Sequence, residues 1–564
     1  MRIKLNIALT AVLLFLVSLS NAQQLNLFLN HEYAGYYEQA VNNPDASVAD
    51  SNTRLPAEYK FLIPGNIHTG FKPIIQSQLY RYMSSDSIQG YIFHGPKRSL
   101  VHRKIFEESL FIIHDSSKKF WASIDPLFDF EGAYDKGDSS RKLYQNTRGF
   151  LIQGGIGSKF SFSTSFFEDQ ETFPYYVDNF IQARNTIPGE GGIKVLSSTV
   201  AGGQGSFYSN GYDFSVAESY LSFSPSRHFN FQIGQGKNFI GDGYRSLLLS
   251  DNSYDYPFFR LTTTFGRFQY TNLYCILLNP NATATADSIM QRKAASFQYL
   301  SWNITNRLEW GVFQGMIWQA SDTYNRQHYN LFYVNPVIGV SALNYGFANN
   351  NYNILLGSTI KYKVTKNFMA YGQLVVNDMG PSQSVTNKTG YQLGLKYYNR
   401  FCQVVVEYNH VRPFTYMSTN AAENYTNYNQ ALADPLGANF KELVATVNYR
   451  VGKHFAIHLQ LDYAMIGENG FNANYGSNIL MSDTAQTKIF KTTTSVSQNQ
   501  GIKGLLNYAD AHLSYLMNPR TNMNIVLGVT YRELSESTAG YNSPVTMLFY
   551  VGFRTSITNR YFDF

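Results

Sequence analysis

Cysteine is nearly absent: Cys275 and Cys402 are the only two in 564 residues, too few for a disulfide framework or a thiolate metal cluster. Charge is scarce too, at 15% of positions against roughly 25% in ordinary soluble domains. Beyond the leader no apolar run is long enough to span a bilayer as a helix, and mean hydropathy is -0.25; a polytopic helical membrane protein is excluded. Only 17 prolines stand beside 43 tyrosines and 42 phenylalanines, the reverse of a disordered composition. The formal charge of +6 comes without clustered Lys and Arg, so there is no nucleic-acid footprint. Catalytic signatures are also missing, with no nucleophile elbow, paired-histidine zinc helix or Cys-x-x-Cys. Gly234-Gln235-Gly236-Lys237 lacks the spacing of a phosphate loop, and His458 reads as a lumen residue rather than a metal ligand. The expectation is a non-enzymatic protein with no cofactor and no metal.

What is present begins with an export signal over residues 1–22. Arg2 and Lys4 supply the positive start, Leu5 to Leu19 the apolar core and Ser20-Asn21-Ala22 the cleavage site. From about residue 119 the apolar period is two. Phe229, Phe231 and Ile233 share one face while Asn230 and Gln232 share the other, and Phe455, Ile457, Leu459 and Leu461 alternate with Ala456, His458, Gln460 and Asp462. Such alternation marks strands with one apolar and one polar face.

About eighteen such strands are predicted, near 119–131, 144–156, 159–168, 213–224, 228–237, 258–265, 267–278, 296–305, 307–318, 352–364, 366–377, 389–399, 401–409, 441–450, 454–464, 506–517, 521–532 and 545–556. Tight turns such as Gly157-Ser158, Gly266 and Gly452-Lys453 alternate with long polar segments near 169–212, 238–257, 279–295, 319–351, 410–440 and 465–505. Short turns on one side and long loops on the other are the habit of outer-membrane barrels. In hydrocarbon a sheet edge leaves backbone groups unpaired at several kcal/mol each, so the sheet must close on itself. The expected fold is all-β: a closed antiparallel transmembrane barrel over 119–564, facing outer-membrane lipid. Tyr362, Tyr397, Tyr398, Tyr449 and Tyr463 are expected at the membrane interfaces. The last strand is expected to reach Phe564, the terminal aromatic offered to barrel-assembly machinery. Residues 23–118 are expected to be a periplasmic or lumen-filling section, with a short amphipathic helix from Glu32 to Asn42.

Two dense stretches are candidate sites. In the first, Gly241 to Asn252 followed by Tyr256 to Arg260, the residues Asp242, Tyr244, Arg245, Asp251, Asn252 and Arg260 combine guanidinium forks, carboxylates and a tyrosine ring. Either they contact a ligand from a loop folded into the pore, or they form an internal network that pins the loop. The second, Glu407 to Tyr416 and on to Asn439, mixes Arg412, Tyr416 and Asn and Gln amides, which suits sugar recognition and equally a solvated loop.

Phe239 to Asn252 with Tyr256-Pro257-Phe258 resembles the RemB-like gliding-motility proteins of Bacteroidota and the wider Wzi-like capsule-assembly family. Val411 to Tyr416, Tyr428 to Asn439 and His68-Thr69-Gly70-Phe71-Lys72-Pro73 are similar to the RemB branch. The resemblance implies an outer-membrane barrel of about eighteen strands with an N-terminal helical part at the periplasmic side. It further implies a role in surface assembly, through gliding proteins or retained capsular polysaccharide. The alternative is a porin-like channel for a small solute or oligosaccharide.

Overall fold

A computed structural model describes residues 25–34, 38, 42, 67–75, 99–106, 108–115, 120–157, 159–191, 194–196, 211–280, 290–321, 331–349, 351–378, 387–399, 401–452, 454–470, 472–485, 501–519, 521–537, 544–555 and 557–564. The expected signal segment 1–22 lies outside the described residues.

Alternating side chains build a closed wall. Its strands are β1 Phe120–Asp135, β2 Leu143–Ile156, β3 Phe160–Glu171, β4 Gly211–Ser226, β5 Phe229–Gly236 and β6 Tyr256–Phe265. They continue as β7 Phe268–Asn279, β8 Gln291–Asn303, β9 Leu308–Gln319, β10 Tyr352–Lys363, β11 Phe368–Asp378 and β12 Lys388–Tyr398. The last six are β13 Cys402–Val411, β14 Phe440–Val451, β15 Phe455–Glu468, β16 Ile502–Asn518, β17 Met523–Glu536 and β18 Thr546–Thr555. Each pairs antiparallel with the next, giving a closed barrel of 18 strands. All eighteen expected strands are there, several longer than their sequence pattern.

The ring closes where Leu548–Arg554 of β18 pairs with Asp129–Asp135 of β1. The other end of β1 pairs instead with the short strand Phe111–His114. The short turns lie at the ring end that holds the start of β1 and the end of β18.

The burial pattern is that of a protein turned inside out. Along β15, Phe455, Ile457, Leu459, Leu461 and Tyr463 are exposed on the outside, while Gln460 and Asp462 are buried inside. A hydrocarbon solvent removes the cost of exposing apolar side chains and raises the cost of exposing polar ones. Tyr362, Tyr397, Tyr449 and Tyr463 face outward as expected. Tyr398 does not. It packs inside with Met369, Tyr371 and Val405, because the strict two-residue period puts it on the opposite face from Tyr397.

The final strand also differs from expectation. It stops at Thr555, and residues 557–564 turn back into the barrel. Thr555 pairs with Met523 at the start of β17, whereas the carbonyl of Phe564 accepts from the Arg532 side chain at 3.1 and 3.2 Å, further along that strand. The tail therefore climbs through the lumen from the short-turn end. At the top the Phe564 ring packs on Phe180, 4.6 Å between centroids. Phe180 belongs to the helix Tyr175–Arg184, which sits inside a segment read from sequence only as a long polar loop. Polar partners explain the tail's path: it carries Arg560, Tyr561 and Asp563, polar groups that lipid would not accept.

Of the described N-terminal residues, 25–34, 38, 42 and 67–75 pack into the lumen as well. Phe71–Lys72 pairs with Phe239–Ile240, and Lys396 reaches Glu38 at 2.7 Å. His31–Ala34 is helical, as are Glu38 and Asn42, in accord with the predicted helix. The rest of that stretch lies outside the described residues.

Candidate functional site

The loop from Lys237 to Asp255 passes inward because two glycines permit it. A Cβ at Gly241, where φ is 139°, would lie 2.1 Å from Gln373 Nε2, and one at Gly243 would lie 2.1 Å from Glu407 Oε2. The backbone is thereby drawn onto the wall. The Tyr244 and Arg245 N–H groups donate to the Glu407 carboxylate at 3.0 and 3.1 Å, and Leu247 N–H donates to Gln373 Oε1 at 2.8 Å.

Arg245 is the hub. Its Nε and Nη2 donate to Glu442 Oε1 at 3.0 and 2.9 Å, Nη2 also to Asp462 Oδ2 at 3.1 Å, and Nη1 to Asp563 Oδ1 at 3.1 Å. One guanidinium thus joins two wall strands, the plug loop and the C-terminal tail. Asp434 approaches to 3.9 Å. Burial, reinforced by the neighbouring Glu442, holds the Asp434 carboxyl well above the usual range.

The other predicted residues are similarly engaged. Asp251 accepts from Asn559 at 2.9 Å and from the Tyr561 hydroxyl at 2.8 Å. Asp242 accepts from Thr69 at 2.7 Å, and Asn252 donates to the Ala431 carbonyl at 3.0 Å. Arg260 forms a separate cluster, donating to Asn238 and Asn26 at 3.2 Å and to Gln232. Tyr416, at φ 73°, donates its hydroxyl to the Leu247 carbonyl at 2.8 Å. Arg412 does not join the Arg245 cluster; its N–H donates to the Thr389 carbonyl at 2.9 Å and its carbonyl accepts from the Thr415 hydroxyl at 2.8 Å. These contacts have the form of the internal network that the composition also allowed.

Of the eight, Tyr244 alone borders the main cavity, a space of about 300 Å³ beside β1–β3 and β15–β18. Its hydroxyl donates to Asp563 at 2.7 Å. The cavity wall carries eight carboxylates, among them Glu131, Glu171, Glu218 and Asp510, against three cations, Lys237, Arg554 and Arg560. Tyr144, Tyr176, Tyr508 and Tyr550 add rings and hydroxyls. No local motif marks these residues in the sequence. They are spread over more than 400 positions, and most look like ordinary inward-facing strand residues; only the barrel's closure brings them together.

No protein-family model matches the chain, and no curated protein matches its sequence. Among solved structures it is similar to Wzi of Escherichia coli, a carbohydrate-binding outer-membrane β-barrel involved in group 1 capsule assembly. That match has 12% identity and a TM-score of 0.51, covering 94% of this chain and 99% of that one. The outer membrane protein OprD of Pseudomonas aeruginosa follows at 13% identity and a TM-score of 0.39, covering 80% of this chain and 96% of that one. OpdK of the same organism stands at 9% and 0.41, covering 77% and 97%.

Proposed function

We propose that the protein is a non-enzymatic outer-membrane barrel that serves surface assembly by holding a saccharide, in polysaccharide retention or gliding. One observation carries this reading: among the described residues the chain's own segments pack into the lumen and leave beside them a cavity of about 300 Å³. The N-terminal section, the loop Lys237 to Asp255, the loop from Arg412 to Asn439 and the tail all contribute to the packing. Barrels of this strand number leave a water-filled lumen when nothing plugs it.

The cavity's chemistry supports a sugar. Carboxylates and tyrosine hydroxyls accept and donate to hydroxyl groups, and aromatic rings cover the apolar faces of a pyranose. The excess of acids disfavours a polyanionic chain and favours neutral or amino-bearing residues. Glu218 and Tyr508, both on the cavity wall and partly accessible, are the side chains to change.

The test has two arms. Purified protein in planar bilayers is expected to pass little current, and a large open-channel conductance would favour the porin-like transport role. Binding of surface polysaccharide isolated from the parent cells is expected to weaken at least tenfold in Glu218→Gln and Tyr508→Ala. Unchanged binding in both variants would remove the cavity from the account. Colony spreading and capsule retention in a deletion strain then separate the two surface roles.

A further inference from the structure

We propose that Glu32, His458 and His512 form a divalent transition-metal site of the kind that takes zinc, fastening the N-terminal segment to the barrel wall. His458 and His512 project inward from adjacent strands β15 and β16, where they are direct register partners. Glu32 comes from the lumen-filling N-terminal segment. One donor atom from each lies within 4.8 Å of the others. Ligand atoms of a tetrahedral zinc site stand about 3.3 Å apart, given metal–ligand bonds near 2.0–2.1 Å, so modest side-chain movement closes the triad.

The outer contacts argue for this more strongly than the proximity. His512 Nδ1 faces Asp510 Oδ1 at 2.8 Å, and His458 Nδ1 faces Asn448 Oδ1 at 2.6 Å. Both partners are acceptor oxygens, which suits a proton on each Nδ1 and leaves each Nε2 as the nitrogen that would face a metal. A carboxylate or carbonyl behind the imidazole is the arrangement that orients a metal-binding histidine. His512 Nε2 is buried without a hydrogen-bond partner among the described residues. It stands 3.3 Å from Glu32 Oε1. Arg554 Nη2, 3.7 Å from the same oxygen, is the competing cation.

Three protein ligands leave a fourth position for water or a ligand oxygen. The triad borders both the 300 Å³ cavity and a smaller space of about 30 Å³ near the short-turn end. An ion there would bar passage between the two and tie residue 32 to the wall. The sequence offered no clue, since His458 and His512 are 54 positions apart and the third donor lies outside the barrel strands.

The experiment uses the full mature chain in detergent, stripped with chelator and dialysed. Zinc titration by calorimetry is expected to show one ion per chain. Cobalt(II) is expected to give the visible bands of a four-coordinate site. Glu32→Gln and His458→Ala are each expected to weaken zinc at least tenfold and to abolish the zinc-dependent rise in melting temperature. His228→Ala, remote from the triad, is expected to leave both unchanged. Zinc binding as tight in both triad variants as in the parent overturns the proposal, because the ion then rests elsewhere on the acidic wall. So does a parent protein whose cobalt spectrum matches the free ion, a result that needs no variant to fold.

Discussion

Arg245→Ala removes the one cation that holds four elements together, and its cost follows from the geometry. Three carboxylates stand within 3.1 Å of the guanidinium, and Arg245 is 1% exposed. Truncating one partner of a buried ion pair costs about 3–5 kcal/mol, because the remaining charge is left uncompensated. The abandoned carboxylates can escape by taking up a proton. For a group of pKa near 4 that costs about 4 kcal/mol at pH 7 for each proton taken up, at 1.36 kcal/mol per unit. The native variant then binds more protons than the unfolded chain, so its stability falls as pH rises. The deficit should therefore grow by about 1.4 kcal/mol per pH unit between pH 5 and 7 for one proton taken up. Urea unfolding of lipid-folded protein, followed by tryptophan fluorescence, measures it. A deficit below about 1 kcal/mol, or one independent of pH, would refute the claim that this charge cluster pins the plug.

Other perturbations probe the wall and the plug separately. Leu527→Arg places a charge on an outward position that is 62% exposed; it should cost about 2–4 kcal/mol in bilayers in the same unfolding assay, and a neutral result would deny that this face meets lipid. Gly243→Ala drives a methyl into Glu407 and should destabilise by about 1–3 kcal/mol, while an unchanged unfolding midpoint would show that the loop yields freely. Deleting residues 557–564 removes Asp563 from Arg245 and Tyr561 from Asp251. It should raise conductance in planar bilayers without preventing barrel formation, as judged by heat-modifiable gel migration. A current equal to the parent's would mean that the tail does not contribute to the seal.

The barrel wall was legible because a strand's two faces alternate strictly, so residues such as Phe229 to Ile233 declare their sides without reference to any neighbour. Strand number, turn positions and the outward tyrosines at 362, 397, 449 and 463 follow from that local rule. Tyr398 obeys the same rule: parity puts it inside, although an aromatic at a strand end suits the interface by residue type. The dense loop at Gly241 to Asn252 could be singled out by its glycines and charges, but its contacts could not. Whether Arg245 meets a ligand or Asp563 depends on where a tail some 300 positions away comes to rest.

By itself, then, the chain determined which surface faces lipid, because periodicity is a property of consecutive residues and hydrocarbon accepts only one of the two faces. What fills the barrel was decided by the tertiary structure alone. The lumen brings together Glu32, Arg245, His458, His512 and Asp563 from every part of the chain, and inward polar residues satisfy whichever partners closure delivers. Polar pairing inside a ring is a long-range matter of geometry, and no local pattern records it.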